Sequence, residues 1–367
     1  MFTPSRLALA RRRRGLTKKH LGELVGVSTR SITGYEAGEI EPTPLIVARL
    51  GDVLRFPPTF FEGDDLEEAV PDAASFRSMK KMTAAQRHAA LSAGTLAYAF
   101  HDWLSERFRL PEPSIPKLGP SVDPEVAAEV VRTEWGLGQA PISNMVHLLE
   151  VHGARVFSLA EECREVDAFS LWRSGMAFVF LNTQKSGEHS RMDAAHELGH
   201  LVMHGHDETP QGREVEQEAR AFASAFLMPR GRMRSAPRWP SLADLIRLKK
   251  PWKVSVGALN YRLHQLGVTT DWHHRTLWIE ISKKGYRTKE PQPIQRETSQ
   301  VLSKVFAALR KEGVSKTDIA RALHLLPEEL DGYVFHLAIL PVAGNGSGSG
   351  RRSSSGHGLT VIKGGVG

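Results

Sequence analysis

The chain has 367 residues, more than one ordinary hydrophobic core organises, so two or three domains are expected. Hydrophobic residues make up 41% and charged residues 24% of the chain, which excludes a mostly disordered protein. The net charge of +7 permits a polyanionic partner without requiring one. A single cysteine, Cys163, excludes an internal disulfide and is expected in the core. Because no apolar run is long enough to cross a bilayer, we expect a soluble, cytoplasmic protein with no membrane partner.

The spacing of apolar residues predicts a mostly helical protein of the α+β class. Short helices are expected in residues 1–63 and an exposed acidic linker in residues 64–75. In chain order, the later elements are expected to be a helix over 83–109, a helix over 123–135, an apolar helix between Pro141 and Gly153, strands over 154–159, 168–172 and 177–181, and helices over 189–204 and 214–227.

The first segment has the order of caps, turn and apolar positions that is typical of a helix-turn-helix. Thr17 and Ser28 can each cap a helix, and Gly26 between them supplies the tight turn. Thr29, Arg30 and Thr33 are expected on the outer face of the second helix, where side chains reach base edges in the major groove. The residues predicted to contact DNA are therefore Thr17, Ser28, Thr29, Arg30 and Thr33. The alternative is a helical hairpin that only packs.

This segment resembles the XRE family of helix-turn-helix repressors over residues 6–61. The resemblance implies a five-helix domain that reads operator DNA with its third helix. The Arg11–Arg14 run is predicted to contact phosphates, or else to be a solvated helix face. Gly22 and Gly34 depart from the family pattern, and a helical glycine costs about 1 kcal/mol relative to alanine, which predicts weak or partner-assisted binding.

A metal centre is predicted at His196-Glu197-Leu198-Gly199-His200. Two histidines four positions apart on a helix project from one face and can share one ion. Glu197 is then placed to take a proton from water at the metal rather than to ligate. A catalytic zinc site also needs a third protein ligand.

The next helix offers three carboxylates for that ligand. Glu218 is preferred because it is expected to lie deepest among the apolar residues, with Glu214 one turn earlier on the same side. Glu216 is expected to point elsewhere, and both Glu214 and Glu216 are read as surface residues. His204 and His206 are expected at the rim of the site.

Residues from about 151 to 229, with the Ala194 to His200 run and the Glu218 to Pro229 segment, look like the ImmA/IrrE metallopeptidase family, and the likeness extends over about 76–291. It implies a zincin-like fold with a small sheet, Zn²⁺ on His196, His200 and Glu218, and Glu197 as general base. It also implies proteolysis of a helix-turn-helix repressor.

The expected domain order is a DNA-binding domain at 1–63, a linker with a connecting helix at 64–122, a metallopeptidase domain at 123–291, a helical segment at 292–342 and a disordered Gly/Ser tail at 343–367. In the helical segment, Gly313-Val314-Ser315 hints at a second helix-turn-helix, although a packing helix pair is preferred.

Three functions are compatible with this organisation. The leading interpretation is a zinc endopeptidase that binds operator DNA, cleaves a regulatory protein and so controls transcription. A homodimer is compatible with this interpretation. The alternative is a transcriptional regulator whose zinc domain senses a ligand or docks a partner without proteolysis. A purely structural DNA-binding protein would leave His196 and His200 without a role. No oxyanion-stabilising residue is identified beyond the candidates Tyr261 and His264.

Overall fold

The computed structural model describes residues 1–70, 83–159, 168–182, 184–204, 213–332 and 360–361. The predictions for Cys163 and His206 lie outside the described residues, as does the predicted tail apart from Thr360–Val361.

The fold is mostly helical with one small mixed sheet, which confirms the predicted α+β class. A 3₁₀ turn at Pro58–Glu62 ends the N-terminal helical region, residues 1–63, which we call the head. The helices are α1 (Pro4–Arg13), α2 (Lys18–Val25), α3 (Thr29–Ala37), α4 (Pro44–Leu54), α5 (Ala84–Ser105), α6 (Pro124–Glu134), α7 (Met145–Val151), α8 (Gly187–Met203), α9 (Arg213–Leu227), α10 (Arg230–Met233), α11 (Leu242–Trp252), α12 (Val256–Gln265), α13 (Asp271–Lys283), α14 (Gln300–Lys311), α15 (Lys316–Ala322) and α16 (Pro327–Leu330).

The strands are β1 (Phe108–Arg109), β2 (Arg155–Ser158), β3 (Ala168–Arg173), β4 (Met176–Leu181) and β5 (Thr360–Val361). The main sheet has the order β2-β4-β3, with β2 parallel to β4 and β3 antiparallel to it. β3 and β4 form a hairpin whose two loop residues, Ser174 and Gly175, have φ of +49° and +77°. This two-residue turn with positive φ matches the right-handed twist of the strands. β1 pairs with β5 in a second, two-stranded ladder.

The main sheet separates two apolar cores. Successive strand residues point to opposite faces, and here both faces are covered. On one face, Phe178 and Phe180 join a core formed by the head, α5 and the C-terminal helices. On the other, Val179 and Leu181 join the core of α6–α9 and α11–α13. The head therefore shares one continuous core with the sheet.

The arginine run at the end of α1 binds carboxylates within the protein. Arg11 pairs with Glu36 at 2.6 Å, and Arg12 pairs with Glu68 at 2.5 Å. Arg13 is only 2% exposed, so its guanidinium is not available to DNA. These charges hold neighbouring segments to α1, and contact of the run with phosphates stays a prediction.

The last two arginines of the run anchor the C-terminal helices. Glu329 of α16 is buried and accepts hydrogen bonds from Arg13 at 2.8 Å and from Arg14 at 2.7 Å. This ion triad joins segments more than 300 residues apart in sequence.

The C-terminal segment repeats the turn geometry of the head. Gly313 follows α14 with φ of +77°, as Gly15 follows α1 with φ of +64°. Eleven residues later in each case, His324 (φ +55°) and Gly26 (φ +80°) take the left-handed conformation. The segment is thus similar to a helix-turn-helix in its geometry. However, α16 stands in the position of the recognition helix, has four residues and packs Glu329 inside the protein.

We expect Glu329→Gln to lower the free energy of unfolding by about 3 kcal/mol, because it leaves a buried guanidinium without its carboxylate. Chemical denaturation followed by circular dichroism measures the change. Glu328→Gln is the matched control, because Glu328 is next to Glu329 in the sequence but has an exposed side chain. Equal stabilities of the two variants would show that the ion triad does not hold the C-terminal helices to the head.

Candidate metal centre and DNA-binding face

The helix α8 lies between the main sheet and α9. Ser186 caps its N-terminus by accepting a hydrogen bond from the backbone N–H of His189. Ala194, Ala195, Leu198 and Val202 are fully buried and fix the helix in the core. His196 and His200 lie on the side of α8 that meets Glu216 of α9.

The structure brings His196, His200 and Glu216 together. The Nε2 atoms of the two histidines are 3.1 Å apart. The Glu216 carboxylate places Oε2 at 3.5 Å from His196 Nε2 and Oε1 at 3.4 Å from His200 Nε2. Glu216 and His200 are buried, whereas His196 is 17% exposed and marks the open side of the cluster. This is the group of described residues that could hold a metal ion.

The spacing of these atoms fits one zinc ion. Zinc lies about 2.0–2.2 Å from imidazole nitrogens and carboxylate oxygens, so neighbouring ligands of a tetrahedral site are about 3.3 Å apart. The three separations of 3.1, 3.4 and 3.5 Å match that value. Burial alone would raise the pKa of Glu216, but hydrogen bonding to His196 and His200 outweighs burial and lowers it.

The carboxylate of the cluster is not the one predicted from the sequence. Glu216 was expected to point elsewhere, yet it is buried and faces the histidines, while Glu218 is 28% exposed. The reason is how α9 crosses α8. A Cβ on Gly199 would lie 3.0 Å from Phe222 Cδ1 and 3.2 Å from the Ala219 carbonyl, so the two helices touch there. Glu216 lies one turn before Ala219 on this contact face.

Glu218 instead belongs to an outer pair. Its Oε2 lies 2.9 Å from His204 Nε2, and His204 Nδ1 lies 3.2 Å from His200 Nδ1. His204 was expected at the rim but is buried, and burial lowers its pKa. Such an outer partner fixes the ring orientation of a ligating histidine. The His196, His200, His204 spacing of four residues was the signal in the sequence for this third histidine.

A hydrogen bond from the main sheet holds the Glu197 side chain. This side chain is buried, and Oε2 accepts a hydrogen bond of 2.8 Å from the hydroxyl of Ser170 on β3. A hydroxyl between the apolar residues Phe169 and Leu171 was the sequence signal for this contact. Of the candidate oxyanion residues, His264 pairs with Asp271 at 2.7 Å and Tyr261 is exposed.

The predicted DNA-binding residues lie on one exposed side of the head. Thr17 and Ser28 cap α2 and α3 by accepting hydrogen bonds from the backbone N–H groups of His20 and Ser31. Thr29, Arg30 and Thr33 are exposed on α3. The structure therefore brings all five side chains to the N-terminal ends of α2 and α3 or to the outer face of α3.

The two unusual glycines of the head have packing reasons. A Cβ on Gly34 would lie 2.7 Å from Ile40 Cδ1, so glycine lets Ile40 close over α3. A Cβ on Gly22 would lie 2.8 Å from the carbonyl oxygen of Val27, where the turn folds back on α2. At both positions glycine allows a close approach that a Cβ would obstruct.

Fold and site together define a helix-turn-helix head joined to a domain with a buried His-His-Glu cluster. Residues 5–60 match the family model of a helix-turn-helix domain, and residues 149–264 match that of the IrrE N-terminal-like domain, a peptidase family. The chain therefore combines a DNA-binding domain with an ImmA/IrrE-like domain, as the resemblance predicted, and this combination indicates a regulator. No curated protein matches the chain at a significant level. Within the described residues, each helix is too short or too polar to cross a bilayer.

Zinc titration against a competing chelator separates the two carboxylates. We expect His196→Ala, His200→Ala and Glu216→Gln each to abolish tight binding, because each removes a ligand. Glu218→Gln should weaken it by only about 10–100-fold, as loss of an outer partner does. If Glu218→Gln releases the metal and Glu216→Gln retains it, Glu218 is the ligand.

Proposed function

We propose that this protein is a zinc-dependent endopeptidase that binds operator DNA and cleaves a regulatory protein, a helix-turn-helix repressor by the resemblance. The observation that carries the proposal is the His196, His200 and Glu216 cluster beside a buried Glu197. The match of the surrounding residues to a peptidase family supports it. In this proposal Glu216 replaces Glu218 as third ligand.

The ligand set is suited to hydrolysis. Zinc held by His196, His200 and Glu216 would supply a Lewis acid that polarises a peptide carbonyl and lowers the pKa of water. Three protein ligands leave a position open for reactants. The partial exposure of His196 puts that opening on the solvent side of the cluster.

Glu197 is the general base of the proposed reaction. A carboxylate oxygen of Glu197 accepts the proton of the attacking water and then delivers it to the leaving amine. Ser170 restrains this carboxylate by its hydrogen bond to Oε2, and burial keeps bulk water from competing for the proton. The base is thus positioned by the sheet, and the metal ligands are positioned by α8 and α9.

DNA binding by the head would bring the enzyme to its operator. The exposed α3 residues Thr29, Arg30 and Thr33 form the base-reading surface of the proposal, and Thr17 and Ser28 lie at helix N-termini suited to phosphate. Since the Arg11–Arg14 run is engaged in ion pairs, these helix ends and nearby exposed residues must carry most of the phosphate contacts.

Glu197→Gln tests the peptidase. We expect the variant to keep its fold, zinc and DNA binding and to lose cleavage by about 10²–10⁴-fold, the usual worth of a general base. The measurement is the length and abundance of cellular proteins by mass spectrometry in strains carrying the parent or the variant. If the variant regulates transcription as the parent does and no protein changes in length or abundance, the zinc domain acts as a sensor or docking module.

Arg30→Ala tests the head. If Arg30 reads a base, discrimination between operator and random DNA should fall by about 1–3 kcal/mol. Fluorescence anisotropy at several salt concentrations measures it. Arg310→Ala is the control, because it removes the same charge from an exposed position on α14. Equal effects of the two substitutions would show that Arg30 contributes only its charge to DNA binding and does not read a base.

A further inference from the structure

A cavity of about 260 Å³ lies at the N-terminal end of α8, away from the metal cluster. Its wall comes from α8, α12, α13 and the segment after α13. One side of the cavity is apolar and aromatic, formed by Met192, Trp278, Ile281 and Tyr286. Such a wall suits the hydrocarbon part of a ligand.

The buried polar group of this cavity is Glu188. Its side chain is fully buried, and its Oε1 accepts hydrogen bonds from Lys249 Nζ at 2.9 Å and from the Ile294 backbone N–H at 3.0 Å. Its Oε2 is also buried but has no hydrogen-bond partner among the described residues. A buried carboxylate oxygen without a donor is costly, so this atom favours a ligand that brings one.

The charges around Glu188 favour a cationic donor. Lys249 is fully buried and divides its ammonium between Glu188 at 2.9 Å and Glu290 at 3.0 Å. Two carboxylates thus share one buried cation. Arg287 and His189 also line the cavity, but both are solvent-exposed and lie at its rim. A second buried cation would balance the two carboxylates.

The cavity lies in line with the metal cluster along α8. His189 lines it and stands seven residues, nearly two full turns, before His196, so both side chains share one face of the helix. Asp193 lies between His189 and His196 on that face, with its Oδ1 3.5 Å from His189 Nε2. Seven residues of helix rise about 10 Å. An extended peptide covers that distance with about three residues.

We propose that this cavity binds an arginine or lysine side chain of the protein substrate, about three residues from the cleaved bond. The stem of the side chain packs on Met192, Trp278 and Tyr286, where aromatic rings also attract its cation. The charged end donates to Glu188 Oε2 and to the Glu290 carboxylate. The inference rests on the proposed peptidase function and adds the class of residue that the enzyme recognises.

Binding is tested apart from turnover on the full chain carrying Glu197→Gln. The probes are Nα-acetyl-arginine amide, its lysine counterpart and Nα-acetyl-citrulline amide, which has the shape of arginine without its charge. Binding is followed by calorimetry and by tryptophan fluorescence. We expect arginine or lysine to bind at least about tenfold more tightly than citrulline, since charge-assisted hydrogen bonds are about twice as strong as neutral ones. Equal binding of citrulline, or no binding of either basic probe, overturns the proposal.

Two substitutions locate the bound probe. Glu290→Gln removes one carboxylate. Gly257→Ala keeps the charges but places a Cβ 2.9 Å from Trp278 Cη2, so the ring that lines the cavity must shift. Both should weaken arginine binding at least about tenfold, the factor expected for loss of one charged contact. Glu134→Gln and Gly231→Ala are matched controls outside the cavity, and Gly231 has only the flexible Gln139 nearby. Parent-like binding by both cavity variants places the probe elsewhere and overturns the proposal.

Cleavage then separates this inference from the function it rests on. The active parent is incubated with a proteome-derived peptide library generated by a protease that cuts after glutamate, and new ends are mapped by mass spectrometry. Arginine and lysine should be enriched about three positions from the cut. Cleavage without that enrichment would overturn the proposed preference for basic residues, while the proposed peptidase function would stand. Arginine binding without any cleavage would overturn the proposed peptidase function and show that the cavity is a sensor site for basic ligands.

Discussion

The contact between α8 and α9 at Gly199 is the constraint on which the site depends. With no Cβ at this position, Phe222 and the Ala219 backbone approach α8 to within about van der Waals distance. That closeness brings Glu216 to His196 and His200 and lets Glu218 reach His204 at the next turn of α8. A Cβ at 199 would make contacts of 3.0–3.3 Å with Phe222 and Ala219, so glycine permits this close approach of the two helices.

The sheet connects this site with the head. Ser170 of β3 faces α8 and holds Glu197, while its neighbours Phe169 and Leu171 point the other way into the core shared with the head and α5. Alternate residues of one strand thus contact Glu197 on one face of the sheet and join the core on the other.

Charge inside the protein is used mainly to join distant segments. Arg13 and Arg14 near the N-terminus form ion pairs with Glu329 near the C-terminus. Lys249 forms ion pairs with Glu188 and Glu290, which line the cavity. Breaking such buried pairs is costly, whereas the intact pairs fix which segments meet. The basic excess of the sequence is therefore a poor guide to the DNA-binding face, where Arg30 is the exposed cation on α3.

The sequence by itself determined the elements whose signals are local. Caps at Thr17 and Ser28, the four-residue spacing of His196 and His200 and the short apolar strands depend on neighbouring residues, and the predicted helices and strands agree with the structure to within a few residues. Only the tertiary structure decided that Glu216 rather than Glu218 faces the histidines and that the arginine run binds carboxylates. Both depend on how helices cross and which distant charges meet, and helical periodicity alone leaves the rotation of one helix against another undetermined.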